Sequence, residues 1–187
     1  SYGIYTNAVA SMLDSILMII KEYYPKYMVV CFNTEENTYK RNIFSDYRKN
    51  KREIPELLKE QFKLIEQVLS AIGIQIIYSD KYGAEDYAGT IAHKFEQDVD
   101  VYILARNQNY FQLATEKTTI LMMQTNETKV EELEKKFKKE VYFENSFPFN
   151  IDTVKTFTGV FPSQIPDLRS ITGDVSDNIP GVSGVNT

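Results

Sequence analysis

"GDVSDNIPGVSG", residues 173 to 184, is the stretch on which the reading of this chain turns. Asp174 and Asp177 stand three apart and run straight into an Asn-Ile-Pro-Gly turn. Paired carboxylates suit a hard cation, because Mg2+ and Mn2+ take oxygen ligands. They also suit a plain turn, since Asp bonds its own backbone a few residues on. Gly181 and Gly184 carry the same double meaning. They let backbone N–H groups reach phosphate oxygens without a Cβ in the way, or they simply let the chain turn between two helices. A second stretch, "ILARNQNYFQL" at 103 to 113, has the look of an acid-bearing loop yet carries Asn107 and Asn109.

The bulk composition narrows the classes. A chain of 187 residues is the size of one ordinary domain, and 43% hydrophobic residues supply a core rather than a disordered tail. No apolar run is long enough to cross a bilayer, and no secretory leader is visible. One cysteine, Cys31, permits no internal disulfide, which fits a reducing, cytoplasmic setting. In "YMVVCF" it reads as a buried strand residue. One histidine, His93, reads as a helix-surface residue, and one His with one Cys makes no ordinary zinc site. The same scarcity weighs against Ser-His and Cys-His hydrolases. Net charge −5 argues against indiscriminate polyanion binding but allows a local basic surface.

Helical periodicity at 8–23, 56–72, 84–97 and 129–139 alternates with apolar strand-like runs at 27–32, 74–79, 99–105 and 118–123. Gly73 is placed to cap the helix before it. A short helix is expected over 109–115, with further helices over 150–157 and 163–171. This alternation predicts an α/β fold with a parallel sheet covered on both faces. Two segments are expected: a core over 1–145 and a helical portion over 146–187 that opens the turn. In such sheets ligands sit beyond the carboxyl ends of the strands. That rule selects the loops beginning "NTEEN", "DKYGAED" and "RNQN".

Glu85 and Asp86 fall in the second of those loops, where acids also complement a helix N-terminus. Together with Asp174 and Asp177 they suggest a magnesium or manganese site of the kind that clamps a phosphate during displacement. Upstream, Lys40, Arg41, Arg48, Lys49, Lys51 and Arg52 interleave with Tyr39, Phe44 and Tyr47. Cations on phosphates and rings for stacking suit a nucleic-acid strand, and an exposed helix with its aromatics turned to the core suits the pattern too.

These residues resemble the 5′-nuclease family of flap endonucleases and the 5′–3′ exonuclease domain of bacterial DNA polymerase I. "GDVSDNIPGVSG" resembles the family's metal-ligand pair leading into a helix–hairpin–helix-type DNA-binding turn. "TYKRNIFSDYRKNKREIPELLKEQFKLIEQVLSAIGI" is similar to its basic gateway and following helix, and "YGAEDYAGTIA" to its Glu-Ala-Asp-Asp helix start. The resemblance implies a PIN-like, resolvase-like core acting on DNA with a 5′ flap, branch or 5′ end. It implies replication and repair work inside a bacterial cell, at the nucleoid. It makes Glu85, Asp86, Asp174 and Asp177 the remaining metal ligands and gives Lys40 and Arg48 catalytic phosphate contacts. Arg41, Tyr47, Lys49, Lys51, Arg52, Gly181 and Gly184 become nucleic-acid contacts, with K+ expected at the turn.

The departures from the family pattern matter as much. Asn33, Asn107 and Asn109 stand where Asp is usual, Gly83 where Glu is usual, and Glu85 is one methylene longer than the usual Asp. Lys40 and Arg48 exchange the usual Arg and Lys, Asn186 replaces a Gly, and the family's opening strand is absent. The expectation is a piece of a longer protein whose sheet lacks a central strand. Asn keeps the shape of Asp without its charge, so one weak Mg2+ or Mn2+ ion is expected rather than two. Three readings follow. The favoured one is DNA binding with weak or lost cleavage. The others are an active divalent-metal nuclease with fewer ligands and a non-catalytic protein-interaction scaffold.

Overall fold

A computed structural model describes residues 3, 5–34, 38–123, 127–137 and 146–185. The expected strands and helices form within a few residues of their predicted bounds. Helix α1 (Asn7–Tyr23) leads to β1 (Val29–Cys31), the short α2 (Thr38–Ile43) and α3 (Glu56–Ala71). Then come β2 (Gln75–Ile77), α4 (Ala84–Phe95), β3 (Val101–Ala105) and β4 (Thr118–Met123). The chain continues through α5 (Glu127–Phe137), β5 (Ser146–Phe149), α6 (Ile151–Thr158) and α7 (Ile165–Thr172). Residues Gln108–Leu113 form a 3-10 helix where a short helix was expected. Gly73 adopts φ +80° beyond the end of α3, the left-handed geometry that a glycine stop supplies.

Two features depart from the single parallel sheet. β1 and β2 pair in parallel as one small sheet, while β3 and β4 pair in parallel in another. That second sheet gains β5, antiparallel to β4, with Pro148 opposite Leu121. Pro lacks an N–H and so argues against a strand in sequence, but at a sheet edge the lost donor faces no partner. Residues after 145 pack into the same core as those before it. Phe147 and Phe149 of β5, Val154 of α6 and Ile165 of α7 share one buried cluster with Ile103 and Ile120. A second cluster joins Val9 and Ile16 of α1 to Ile65 and Leu69 of α3, against Val30 and Ile76. Gln61, buried in α3, ties the two helices by accepting from Ala8 N–H at 2.7 Å and donating to Asn7 at 3.2 Å.

The close of α7 is the tightest backbone in the fold. Gly173 sits at φ 74°, ψ −174°, a region nearly exclusive to glycine. A Cβ there would lie 2.4 Å from Gly181 N and 2.5 Å from Ile179 O. Gly181 is pinned the other way, with its hypothetical Cβ 2.5 Å from Thr172 O. Gly173→Ala is therefore expected to lower unfolding free energy by about 2 kcal/mol or more, from backbone strain alone. Urea denaturation checks this, and an unchanged midpoint would contradict the packing. No helix among the described residues is long and apolar enough to cross a membrane.

Candidate metal and nucleic-acid site

The loops picked out beyond the strand ends do converge. Asn33 follows β1, and its Oδ1 accepts from Ala84 N–H at 2.8 Å, in the first turn of α4. Asp86 reaches back to accept from Gly83 N–H at 2.8 Å. Both contacts satisfy donors that a helix N-terminus leaves unpaired. The capping alternative weighed for Asp86 is thus realised in the structure.

Two cations stand among the acids. Lys40, on α2, places Nζ 2.9 Å from Glu85 Oε1 and 3.2 Å from Asp86 Oδ2. Arg48 places Nη2 3.2 Å from the same Glu85 oxygen and Nε 2.6 Å from Asp177 Oδ1. Arg48 reaches this position because its own backbone is left-handed, at φ 56°. Its N–H donates to Asp177 O at 2.9 Å. Asn178 Nδ2 donates to Asp46 O at 2.8 Å, and Asn50 Nδ2 to Val175 O at 2.9 Å. The basic stretch is therefore bonded to the turn by backbone and side chains alike.

Asp174 and Asp177 serve the turn as well. Asp174 Oδ1 accepts from Ser176 N–H at 2.8 Å, Ser176 Oγ at 2.6 Å and Asp177 N–H at 3.3 Å. Its backbone pairs with Ile179 across the turn. Its Oδ2 accepts from Asn109 Nδ2 at 2.8 Å, and the same amide lies 3.4 Å from Asp177 Oδ2. Asn107 holds that loop by accepting from Asn109 N–H at 2.9 Å. Asn109 Oδ1 is buried without a hydrogen-bond partner among the described residues. An Asp at 109 could not donate, so the amide turns a like-charge contact into a bond.

The charges shift accordingly. Burial pushes the Glu85 carboxyl up, but the bond from Lys40 and the fields of Lys40 and Arg48 outweigh it and hold it below its ordinary 4.5. Burial likewise opposes ionised Asp174, while bonds from Ser176 and Asn109 bring it below its ordinary 3.8. A carboxylate with a depressed folded pKa stabilises above its unfolded value and loses that contribution as pH falls through the folded one. Stability should therefore hold from pH 7 to about 5 and fall below about pH 4. Glu85→Gln should flatten that acid limb in urea titrations at stepped pH. An identical limb in the variant would rule out Glu85 as its source.

The other expected residues differ in exposure. Tyr47, expected to stack on bases, is 5% exposed, beneath Lys40 and Arg48 at 5.8 and 5.0 Å from its ring centroid. Gly181 is glycine because α7 packs against it, whereas Gly184, at φ 86°, meets no atom within 4 Å. Arg41, Lys49, Lys51 and Arg52 are exposed. Gly83 is buried with the Glu85 carboxylate against it. Cys31 is partly buried in β1, and burial raises its thiol pKa. His93 lies on the surface of α4, 3.4 Å from Glu96. Asn186, and any second helix after the turn, lie outside the described residues. Among the described residues no group of three or more His, Cys, Asp or Glu is arranged to hold a metal ion.

A small α/β core with acids, amides and cations gathered at one end of its strands is the architecture of a resolvase-like nuclease domain. The family model described as "5′-3′ exonuclease, N-terminal resolvase-like domain" matches residues 1–139, and the chain belongs to that family. It is 29% identical to a 5′-3′ exonuclease of Bacillus subtilis over 98% of its own length and 56% of that protein's. It is 32% identical to DNA polymerase I of the same organism, over 98% of the chain and 19% of the polymerase. The chain thus spans about half of the first relative and a fifth of the second. Its fold matches a bacteriophage T5 flap endonuclease solved as a pseudo-enzyme–product complex with DNA and metal ions. That match has a TM-score of 0.70 and 16% identity, and covers 98% of this chain and 66% of that one.

Proposed function

We propose that this chain is the DNA-binding core of a 5′-nuclease-family protein in which cleavage is weak or lost. Its targets are DNA with a 5′ flap, branch or 5′ end, a reading supported by the likeness to the T5 flap endonuclease solved with DNA. The observation that carries the reading is the double ion pairing of Arg48 with Glu85 and Asp177. A pair of divalent ions needs several oxygen ligands free to bind. Here Lys40 and Arg48 halve the formal charge of the four acids, and the amides of Asn33, Asn107 and Asn109 are neutral. Asp86 Oδ2, the oxygen that faces Lys40, also caps α4, and Asp174 Oδ1 holds the turn. These donors do not fit two divalent ions, and one weakly held Mg2+ or Mn2+ is the most they support. Lys40 and Arg48 would meet phosphate by exchanging a carboxylate partner for it. Gly184 and the exposed Arg41, Lys49, Lys51 and Arg52 would hold the backbone, with K+ at the turn.

The test is binding of a fluorescent 5′-flap duplex in EDTA across a salt series. Specific binding is expected without added metal, with log affinity falling steeply against log salt as phosphate counterions are released. Absence of binding at low salt, or a flat salt profile, would remove the DNA-facing reading and favour the interaction scaffold.

A further inference from the structure

Tyr39 and Tyr82 form an exposed aromatic step beside the charged cluster, and nothing in the arrangement of that cluster requires it. Tyr39 is 45% exposed at the start of α2, immediately before Lys40. Tyr82 immediately precedes Gly83 and α4. Their ring centroids are 5.4 Å apart at 46°. Tyr82 meets Tyr87 edge-on at 6.3 Å, and Tyr87 Oη donates to Ser79 Oγ at 2.7 Å. Ser79 Oγ also accepts from Lys81 and Tyr82 N–H groups, at 3.2 and 3.3 Å. Tyr39 N–H donates to Lys81 O at 3.1 Å, which joins α2 to the loop after β2. The inner rings are thus fixed, and the outer ring presents half its surface to solvent.

Charge surrounds the step. Lys81 Nζ lies 5.2 Å from the Tyr82 ring centroid, and Lys81 and Arg41 are both exposed. Lys40 is in the ion-paired cluster one residue on. An aromatic face flanked by cations is the chemistry of an unpaired nucleotide, whose base stacks while its phosphates lie on the charges. Tyr47, buried under Arg48, has no face to offer. We infer that Tyr39, backed by Tyr82, is a stacking platform for an unpaired base of the 5′ strand as that strand enters between Lys40 and Arg41.

This inference rests on the DNA-binding reading, and the experiment separates the two. Flap duplexes carrying 2-aminopurine in the unpaired strand, and a blunt duplex of the same sequence, are titrated with wild type, Tyr39→Phe and Tyr39→Leu. Wild type and Tyr39→Phe should bind the flap alike and quench the probe through stacking. Tyr39→Leu should lose about tenfold in flap affinity and most of the quenching, with blunt-duplex affinity unchanged. Circular dichroism confirms the fold of the variant, whose side chain is exposed. If Tyr39→Leu matches wild type on the flap, the platform is overturned and the DNA-binding reading stands. If wild type binds neither duplex, both fall.

Discussion

Arg48→Ala should be the most destabilising single change in the charged cluster. Its side chain is 11% exposed and that of Asp177 only 7%. Removing one member of a buried pair leaves the other charged and unpartnered, at a cost of about 3–5 kcal/mol. Asp177 would lose the bond to Oδ1, keeping only the long Asn109 contact at 3.4 Å on Oδ2. Glu85 would keep Lys40. The expected reading is a fall in melting temperature of roughly 10 °C for a domain of this size. Arg48→Met combined with Asp177→Asn should recover part of the loss, because the uncompensated charge is gone. A single variant as stable as wild type would mean that the pair is not held closed in solution.

Asn109→Asp should act in the opposite chemical direction. The amide that donates to Asp174 would become a third carboxylate beside Asp174 and Asp177. Two unit charges about 4 Å apart interact by about 4 kcal/mol at an effective dielectric of 20, here as repulsion. In EDTA the variant should melt well below wild type. Millimolar Mn2+ or Mg2+ should restore much of the loss, because an ion that binds only the folded state adds to its stability. Wild type should respond little. The combination with Asn107→Asp should strengthen the metal response further. Equal metal-induced shifts in wild type and variant would show that the amides do not govern ion binding.

Much of this was legible in the sequence, for physical reasons. Helix periodicity and strand runs are local patterns, so α1, α3, α4, β3 and β4 appear close to their predicted bounds. The loops beyond the strand ends follow from the α/β pattern, which is why Asn33, Glu85, Asp86 and Asn109 fall in one region. What escaped depends on distance along the chain. β5 contains Pro148, and only its place at a sheet edge makes that residue acceptable. Arg48 meets Asp177 across 129 positions and Asn109 meets Asp174 across 65. Neither pairing leaves a local trace. Tyr47 and Tyr39 look equivalent in the basic stretch, and only burial tells them apart. The left-handed backbone at Arg48 gave no warning either, since Arg is not a residue that favours it.

The structural role of the acids also gives the cluster internal charge partners. Lys40 and Arg48 balance charge that would otherwise repel, the Asn109 amide donates to Asp174 where a carboxylate would repel it, and Asn33 and Asn107 accept backbone N–H bonds without adding charge. The gateway-like stretch and the turn are joined by the Arg48–Asp177 contacts, so on the proposed reading the nucleic-acid face is shaped before DNA arrives. Preorganisation of this kind lowers the ordering cost of binding.

The most direct measurement is turnover. Purified protein is mixed with excess end-labelled 5′-flap duplex while Mg2+ and Mn2+ are each titrated through the millimolar range, and cleavage is followed alongside binding. Retained binding with no multiple turnover in Mg2+, and at most slow product in Mn2+, is the predicted result. Sustained multiple turnover in millimolar Mg2+ would contradict it, since Glu85, Asp174 and Asp177 would then be releasing their internal partners to a working pair of ions.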